Sequence, residues 1–152
     1  MLSVPYRRQK ADYLCGPASL QMVLAFYGQQ ISQEQLARLL QVSKKYGTAR
    51  KQLVRIAKKL GFRVIAQHRG TVQDLLRHIR AGCPVIVNYL EPSDNEGHYA
   101  VVVGFRNGSI ILNDPWNGRG FKIPLREFLK RWRGTTPAGA PYSRWWMTMQ
   151  CN

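Results

Sequence analysis

The sequence predicts an α+β fold in which N-terminal helices pack on a C-terminal antiparallel sheet. Residues 15–60 repeat apolar side chains three or four positions apart, which is helical spacing. From residue 84 onward, short runs rich in Val, Ile and Tyr replace that period and indicate strands. Between two of these strands stands Asn107-Gly108, a dipeptide typical of tight β-hairpins. Helices in one half and strands in the other favour an α+β architecture over an alternating one.

Four helices are predicted before residue 83, and two of them begin with a capping box. Ser32 is followed three residues later by Gln35, and Thr71 is followed at the same distance by Asp74. In such a pair each side chain accepts a hydrogen bond from the other residue's backbone N–H, which fixes the start of a helix. The predicted helices cover residues 15–27, 32–40, 48–60 and 71–82.

Six strands and one short helix complete the predicted elements. The strands cover residues 62–66, 84–89, 98–105, 109–113, 121–123 and 143–150, the helix covers residues 125–132, and residues 134–141 form a loop. Because side chains alternate between the two faces of a strand, Trp145 and Trp146 are expected on opposite faces of the last one. One of these rings is expected in the core and the other at an exposed surface.

Length and hydropathy predict a single domain covering residues 1–152. No apolar run reaches the length of a transmembrane helix, and the N-terminus lacks the apolar stretch of a signal peptide. These features predict a cytoplasmic location. A position at the inner membrane face, or within a larger protein, stays open.

The chain is strongly basic, with 23 Lys and Arg residues against 8 Asp and Glu and a net charge of +15. This charge predicts attraction to acidic peptides, anionic lipid surfaces or nucleic acid, and a role in solubility alone stays open. No zinc-finger spacing or RNA-binding signature accompanies the charge, so nucleic acid is not the expected partner.

The three cysteines, Cys15, Cys83 and Cys151, are too few and odd in number for a disulfide framework. None belongs to a C-x-x-C pair, which argues against a zinc site. The cysteine content therefore predicts a reducing compartment, with no metal and no cofactor.

Three residues form a candidate catalytic set. Cys15 stands at the start of the first predicted helix, His98 at the head of an apolar strand and Asp114 at the end of the next. A cysteine is nucleophilic as its thiolate, which a helix N-terminus and an imidazolium both stabilise. A catalytic imidazole also needs a partner that orients its second nitrogen. Folding back across Asn107-Gly108 brings Asp114 close to opposite His98, with a residue or two of slack for a bulge.

Four further residues are predicted to line the cleft. Gln9 precedes Cys15 by six residues, and its amide could donate to an oxyanion beside the Cys15 backbone N–H. Gly16 would let the backbone approach a substrate closely. Gly97, next to the predicted base, and Trp116, just after the predicted carboxylate, are candidate substrate-binding residues, and a packing role for Trp116 is equally open.

Several blocks of this sequence resemble the cysteine peptidases that process bacteriocin leaders. They are Val4-Pro5-Tyr6 through Gln9, Cys15-Gly16-Pro17-Ala18-Ser19, Met22-Val23-Leu24, Tyr27-Gly28, Gly97-His98-Tyr99-Ala100-Val101-Val102-Val103-Gly104 and Asn113-Asp114-Pro115. Their order and spacing agree with that family over residues 4–118. The resemblance implies a papain-like fold, with Cys15 as nucleophile, His98 as base, Asp114 as orienting residue and Gln9 as oxyanion donor.

The same resemblance implies a peptide substrate, because the family typically cleaves a leader after a Gly-Gly pair from a domain fused to an ABC exporter. It thus suggests a membrane-transporter partner. Two features depart from that pattern: the sequence has no transporter segment, and Leu14 stands where leader-processing members usually carry Asp. Cys-Gly-Pro-Ala-Ser is closer to the stand-alone relatives. Fold and chemistry therefore carry over better than Gly-Gly specificity.

Two other functions stay open beside hydrolysis of a peptide bond after small residues. The same Cys15 thioester could pass to an amine, giving a transamidase or isopeptidase, since a fold does not fix a function. A non-enzymatic peptide-binding module with a basic surface is the third reading. The complete set of Cys15, His98 and Asp114 argues against the binding module, whereas hydrolysis and transfer to an amine would use the same residues.

Overall fold

A computed structural model describes residues 1–151, without the side chain of Cys151, as helices packed on both faces of a sheet. The helices are α1 (Cys15–Phe26), α2 (Gln33–Leu39), α3 (Arg50–Lys59), α4 (Val72–Arg80) and α5 (Leu125–Arg131). The strands are β1 (Phe62–Gln67), β2 (Val85–Leu90), β3 (Gly97–Arg106), β4 (Ser109–Asp114), β5 (Gly118–Pro124), β6 (Arg133–Thr135), β7 (Pro141–Ser143) and β8 (Trp146–Cys151).

The main sheet has six antiparallel strands in the order β1-β8-β2-β3-β4-β5, and β6 pairs with β7 in a second, small sheet. Consecutive residues of β3 contribute to different cores. Val101 packs with residues from α1, α2 and α3, whereas Val102 packs with residues from α4 and α5. This confirms N-terminal helices packed on an antiparallel sheet, and adds a second helical layer on the opposite face.

Helix α1 is the central helix, since nine of its twelve residues are buried. Leu20, Val23 and Leu24 are fully buried against the sheet, and each such side chain contributes about 1.5–3 kcal/mol through removal from water. A helix that is apolar on all sides must be enclosed, which fixes the position of its first residue, Cys15. In the described part of the chain, no helix is long and apolar enough to cross a membrane.

The local sequence signals are confirmed. Both capping boxes are present, Ser32 with Gln35 at α2 and Thr71 with Asp74 at α4. Asn107-Gly108 joins β3 to β4, and both residues have positive φ, at 51° and 76°. Such a conformation favours Asn and Gly over other residues, which explains why this dipeptide marks the hairpin.

Two predictions near the C-terminus are wrong in part. Residues 134–141 are not only a loop, because their ends belong to the β6–β7 hairpin. Trp145 and Trp146 do lie in different cores, but both are buried, with 3% and 1% of their surface exposed. No ring remains exposed because β8 lies inside the sheet, between β1 and β2, and both faces carry helices.

Candidate active site

Cys15 is the first residue of α1 and is only half-buried, so its sulfur lies at the edge of the most enclosed helix of the fold. The residue before it, Leu14, provides no side-chain hydrogen bond to the helix start, and no acidic residue stands in the first turn. The first backbone N–H groups of a helix have no partner within the helix, and they carry partial positive charge. An uncapped helix start therefore stabilises negative charge at Cys15.

His98 connects this cysteine to Asp114. Its Nε2 atom lies 2.7 Å from Asp114 Oδ1, and only 8% of the His98 side chain and none of the Asp114 side chain is exposed. Because Nε2 is used by the carboxylate, Nδ1 is the ring nitrogen left to serve the Cys15 sulfur. The structure therefore brings together the three residues that sequence spacing predicted.

A β-bulge places Asp114 on the same face of the sheet as His98. Next to the hairpin turn Phe105 pairs with Ile110, but the register shifts between Val102 and Gly104, so that Val101 pairs with Asn113. Without that shift Asp114 would lie opposite Val101 and point to the other face, because side chains alternate along a strand. The extra residue in β3 thus decides whether the two side chains meet.

Asp114 accepts hydrogen bonds from several donors at once. Oδ1 accepts from the backbone N–H groups of Trp116 and Asn117, both at 2.9 Å, as well as from His98. Oδ2 accepts from the Tyr89 hydroxyl at 2.5 Å. Burial alone would raise the pKa of Asp114, but these donors hold it below its usual value, so the buried carboxylate stays ionised.

The same contacts keep His98 charged. Burial alone would lower the pKa of His98, but its interactions with Asp114 and with Cys15 raise it to about 10. An imidazolium between a carboxylate and a thiolate is the arrangement that activates a cysteine nucleophile. The charged imidazole of His98 therefore lies where it can stabilise negative charge on the Cys15 sulfur.

Tyr89 is a member of the site that sequence reasoning missed. It lies on β2 directly opposite His98, with the ring centroids 5.9 Å apart, and its hydroxyl reaches the far oxygen of Asp114. Burial and the neighbouring carboxylate raise the pKa of Tyr89, so it remains a neutral donor. Counting residues outward from the turn between β2 and β3 could have placed it beside His98.

Gln9 lies in the same cavity as Cys15 and His98. Its amide nitrogen donates to the backbone carbonyls of Ala11, at 2.8 Å, and Asp12, at 3.3 Å, which fixes the side chain on the turn that leads into α1. The first of these bonds is short and the second is long. Gln9 thus lies beside Cys15 with its amide nitrogen on two backbone carbonyls, and its role as an oxyanion donor stays a prediction.

Two cavities meet at Cys15. A groove of about 1110 Å³ and a smaller cavity of about 290 Å³ are both lined by Cys15 and Gly97. The ring of Trp116 is 44% exposed and forms part of the smaller cavity, beside His98. Two of the three candidate substrate-binding residues, Gly97 and Trp116, therefore lie at the cleft.

The third candidate, Gly16, has a different role from the one expected. It lines neither cavity, and a Cβ at this position would lie 2.3 Å from Thr48 Oγ1 and 2.6 Å from Thr48 Cβ. The absence of a side chain at Gly16 thus makes room for Thr48, not for a substrate. Thr48 is tied in turn to β3, because its carbonyl accepts the Tyr99 hydroxyl at 2.7 Å.

Replacing Gly16 with Ala is expected to destabilise the protein by about 1–3 kcal/mol, since a buried clash forces neighbouring atoms to move. An alanine in a helix would otherwise stabilise it by about 1 kcal/mol relative to glycine, so the sign of the effect identifies the clash. Urea unfolding measures it. Adding Thr48→Gly should recover part of the loss, and a Gly16→Ala variant as stable as the natural chain would contradict the packing role.

Comparison with known proteins identifies the family of this chain. A profile described as the Peptidase_C39 like family matches residues 1–140. The chain belongs to that family. This C39-like chain is a cysteine peptidase, which confirms the resemblance and the enzyme class predicted from its sequence. In the described residues, no group of three His, Cys, Asp or Glu side chains is placed to hold a metal ion.

The C39-like chain is also similar to longer proteins. It is 34% identical over 142 residues to the transport/processing ATP-binding protein ComA of Streptococcus pneumoniae, a match that covers 90% of this chain and 18% of ComA. The chain therefore spans less than a fifth of the length of that relative.

Solved structures share the fold. The peptidase domain of Streptococcus ComA, a bi-functional ABC transporter involved in a quorum-sensing pathway, is 24% identical with a TM-score of 0.79, over 99% of this chain and 100% of that one. A double glycine motif protease from an AMS/PCAT transporter, in complex with the leader peptide, is 25% identical with a TM-score of 0.75, over 99% of this chain and 93% of that one. A C39-like peptidase from Bacillus anthracis is 18% identical with a TM-score of 0.77, over 99% of this chain and 96% of that one.

Proposed function

We propose that Cys15 is the catalytic nucleophile, that His98 is its acid–base partner and that Asp114 orients His98. The observation that carries this assignment is the buried His98 ring, held 2.7 Å from Asp114 on one side and interacting with Cys15 on the other. A thiolate beside an oriented imidazolium is the minimal apparatus for acyl transfer. Residues 1–152 act as one peptidase domain in this proposal.

In the proposed reaction the Cys15 sulfur attacks the carbonyl carbon of the scissile peptide bond. The oxyanion that forms accepts hydrogen bonds from the Cys15 backbone N–H and from Gln9 Nε2. The C–N bond then breaks, the leaving amine takes the proton of His98, and a thioester remains on Cys15. Water, deprotonated by His98, attacks the thioester and releases the carboxylic acid and the free thiolate.

The proposed substrate is a peptide or protein with small residues before the cut, such as a leader that ends in Gly-Gly. Support comes from two relatives: ComA, a transport/processing protein, and the double glycine motif protease, whose structure contains a leader peptide. By the same analogy we propose action on the cytoplasmic side of a membrane, next to a transporter. The fold analogy alone does not fix the cleaved sequence.

Cys15 is expected to react with limiting iodoacetamide faster than Cys83, which is only 9% exposed. Replacing His98 with Ala should slow this labelling, because the imidazolium that stabilises the thiolate is lost. Mass spectrometry of the intact protein and of its peptides gives the rate and the site. Slow, unselective labelling would overturn the nucleophile assignment and favour a peptide-binding module.

The pH dependence of this labelling follows from the raised pKa of His98. The imidazolium is charged below about pH 10 and is lost as the pH rises through that value. The advantage of the natural chain over the His98→Ala variant should therefore persist through the neutral range and shrink in base, because an ordinary cysteine thiol ionises without help from about pH 8.5 and the imidazolium is lost near pH 10. An advantage that vanished near the ordinary histidine pKa of about 6.5 would show that Asp114 and Cys15 do not hold the proton.

A further inference from the structure

The catalytic cleft has two halves, and only one of them contains His98, the residue that supplies the proton. Cys15 and Gly97 line both the 1110 Å³ groove and the 290 Å³ cavity, whereas His98 lines only the smaller cavity. When the C–N bond breaks, the departing amine must lie within reach of the imidazole that protonates it. On the proposed mechanism, the smaller cavity therefore receives the segment after the cut, and the groove receives the segment before it.

The smaller cavity is acidic although the chain is strongly basic. Four of the eight acidic residues of the chain line it, and no Lys or Arg does so. These four are Asp12, Glu91, Asp94 and Glu96. The cavity thus has a local charge opposite to the net charge of +15.

Two of these four carboxylates, Asp12 and Glu96, are free to meet a ligand. The other two are bound within their own loop: Glu91 accepts hydrogen bonds from Ser93 and Asn117, and Asp94 accepts one from the Glu96 backbone N–H. The side chains of Asp12 and Glu96 are exposed and have no hydrogen-bond or ion-pair partner among residues 1–151. Both stand at the boundary of the two cavities, beside Cys15.

Gln9, which lines the smaller cavity, has a buried oxygen without a partner in residues 1–151. Gln9 is nine-tenths buried, and its Oε1 atom accepts no hydrogen bond from any described residue. A buried acceptor without a donor costs free energy that an incoming N–H group would recover. Arg8 does not line this cavity; its guanidinium lies 5.6 Å from the centroid of the Trp116 ring and forms no ion pair with a described carboxylate.

The groove on the other side has an excess of positive charge, with four Lys and Arg residues against the two carboxylates of Asp12 and Glu96 that it shares with the smaller cavity. Lys44, Lys45, Arg50 and Lys51 line it, and within the described chain none of them forms an ion pair. Lys45 and Arg50 lie instead over the rings of Tyr46 and Tyr142, at 5.1 and 3.5 Å.

From this charge separation we infer that the cleft selects a peptide with acidic residues before the cut and basic residues after it. Lys44, Lys45, Arg50 and Lys51 face the acidic segment, and Asp12 and Glu96 face the basic one. The inference rests on the proposed function, which sets the direction of the peptide. Complementary charge across a cleft acts mainly on specificity and on the rate of encounter.

The test uses binding, so that it does not depend on cleavage. Fluorescent peptides with the core Gly-Gly carry two Glu before and two Lys after that core, or the reverse, and are titrated against the Cys15→Ala variant by anisotropy. The Glu-first peptide is expected to bind about tenfold more tightly. Each exposed charge pair contributes little alone, but several of them together give an effect of this size. About 0.5 M salt should remove most of this difference by screening.

The variant that locates the effect is Asp12→Asn with Glu96→Gln, made on the Cys15→Ala background. It should reduce the preference for the Glu-first peptide by about fivefold. The matched control is Glu34→Gln with Glu127→Gln, which removes the same charge from two residues that line neither cavity.

The outcomes separate the inference from the proposed function. Equal binding of the two peptides, or equal loss in the cleft variant and the control variant, would overturn the charge selection. Tighter binding of the Glu-first peptide, together with its cleavage by the natural chain but not by Cys15→Ala, would support both proposals. Selective binding without cleavage by the natural chain would overturn the peptidase assignment of Cys15 and leave the charge selection standing.

Discussion

Replacing Cys15 with Ala is expected to reduce peptide cleavage by at least about 10⁴-fold, because the variant has no atom that can form the acyl intermediate. The helix start and the oxyanion donors remain, so weak residual binding should persist. The measurement is kcat/KM on an internally quenched Gly-Gly peptide, together with the intact mass of the natural enzyme during turnover. A mass increase equal to the acyl group, on Cys15 alone, would identify the thioester.

Cys83→Ala is the matched control for this prediction. Cys83 is also a free cysteine, but it is buried at the start of β2, where its sulfur lies 3.9 Å from the Ala81 carbonyl. Its replacement should leave kcat/KM unchanged. Turnover retained in Cys15→Ala would rule out Cys15 as the nucleophile. Products that carry the mass of an added amine, formed only when Cys15 is present, would assign the chain to acyl transfer in place of hydrolysis.

The loss of Cys15 should also be visible at His98. Interaction with the cysteine is one of the contacts that raise the pKa of His98 to about 10. In Cys15→Ala that contact disappears while the Asp114 hydrogen bond stays, so the pKa of His98 should fall. A histidine NMR titration checks this. An unchanged titration would mean that the thiolate does not contribute to the charge of the imidazolium.

The sequence predicted the elements of this fold well wherever the signal was local. Capping boxes at Ser32 and Thr71 and the hairpin at Asn107-Gly108 depend on residues no more than three positions apart, so they can be predicted from the sequence. The burial of Trp146 could not be read in this way. It depends on β8 being inserted between β1 and β2, a pairing between segments far apart in sequence.

The candidate site shows the same division. The chain order of Cys15, His98 and Asp114 suggested a catalytic set, and their spacing allowed contact between the last two. The face on which Asp114 lies, however, depends on a bulge near Val103 for which the sequence gives no distinct signal. Tyr89 was missed for a similar reason, because its hydroxyl reaches Asp114 across a third strand.

Gly16 meets a packing requirement that the sequence does not reveal. A glycine beside a nucleophile suggested close approach by a substrate, but the space next to its Cα is occupied by Thr48. Thr48 precedes α3, in a different part of the chain, so only the packed structure brings the two together. The charge separation across Cys15 was hidden likewise, since the net charge of +15 says nothing about where the eight acidic residues lie.

Replacing Asp114 with Asn is expected to lower kcat/KM by roughly 10²- to 10⁴-fold, although the side chain keeps its shape. Asp114 accepts hydrogen bonds from His98, Tyr89 and two backbone N–H groups, and all four of these groups donate. An amide has one oxygen, so its NH₂ group must face a donor and leave at least one buried bond unmade. His98 loses its orienting anion, and its pKa should fall towards the ordinary value.

The same substitution should cost about 2–4 kcal/mol of stability near neutral pH, because a fully buried network loses an acceptor. Folding lowers the pKa of Asp114, so the stability that the carboxylate contributes is present above its unfolded pKa of about 3.9 and is lost as the pH falls further. Urea unfolding at several pH values should therefore show the gap between Asp114→Asn and the natural chain closing in acid.

Tyr89→Phe separates positioning from general loss of structure. It removes one donor to Asp114 Oδ2 and leaves the His98 bond to Oδ1 in place, so we expect kcat to fall by less than about tenfold and KM to stay the same. If Asp114→Asn and Tyr89→Phe were equally damaging, the carboxylate would matter as a packing element. If Asp114→Asn kept full activity, and its activity still fell only near pH 10, the contact with Cys15 alone would be enough to keep His98 charged. A large loss in Asp114→Asn with a small loss in Tyr89→Phe is the pattern expected of a residue that acts by holding His98 in place.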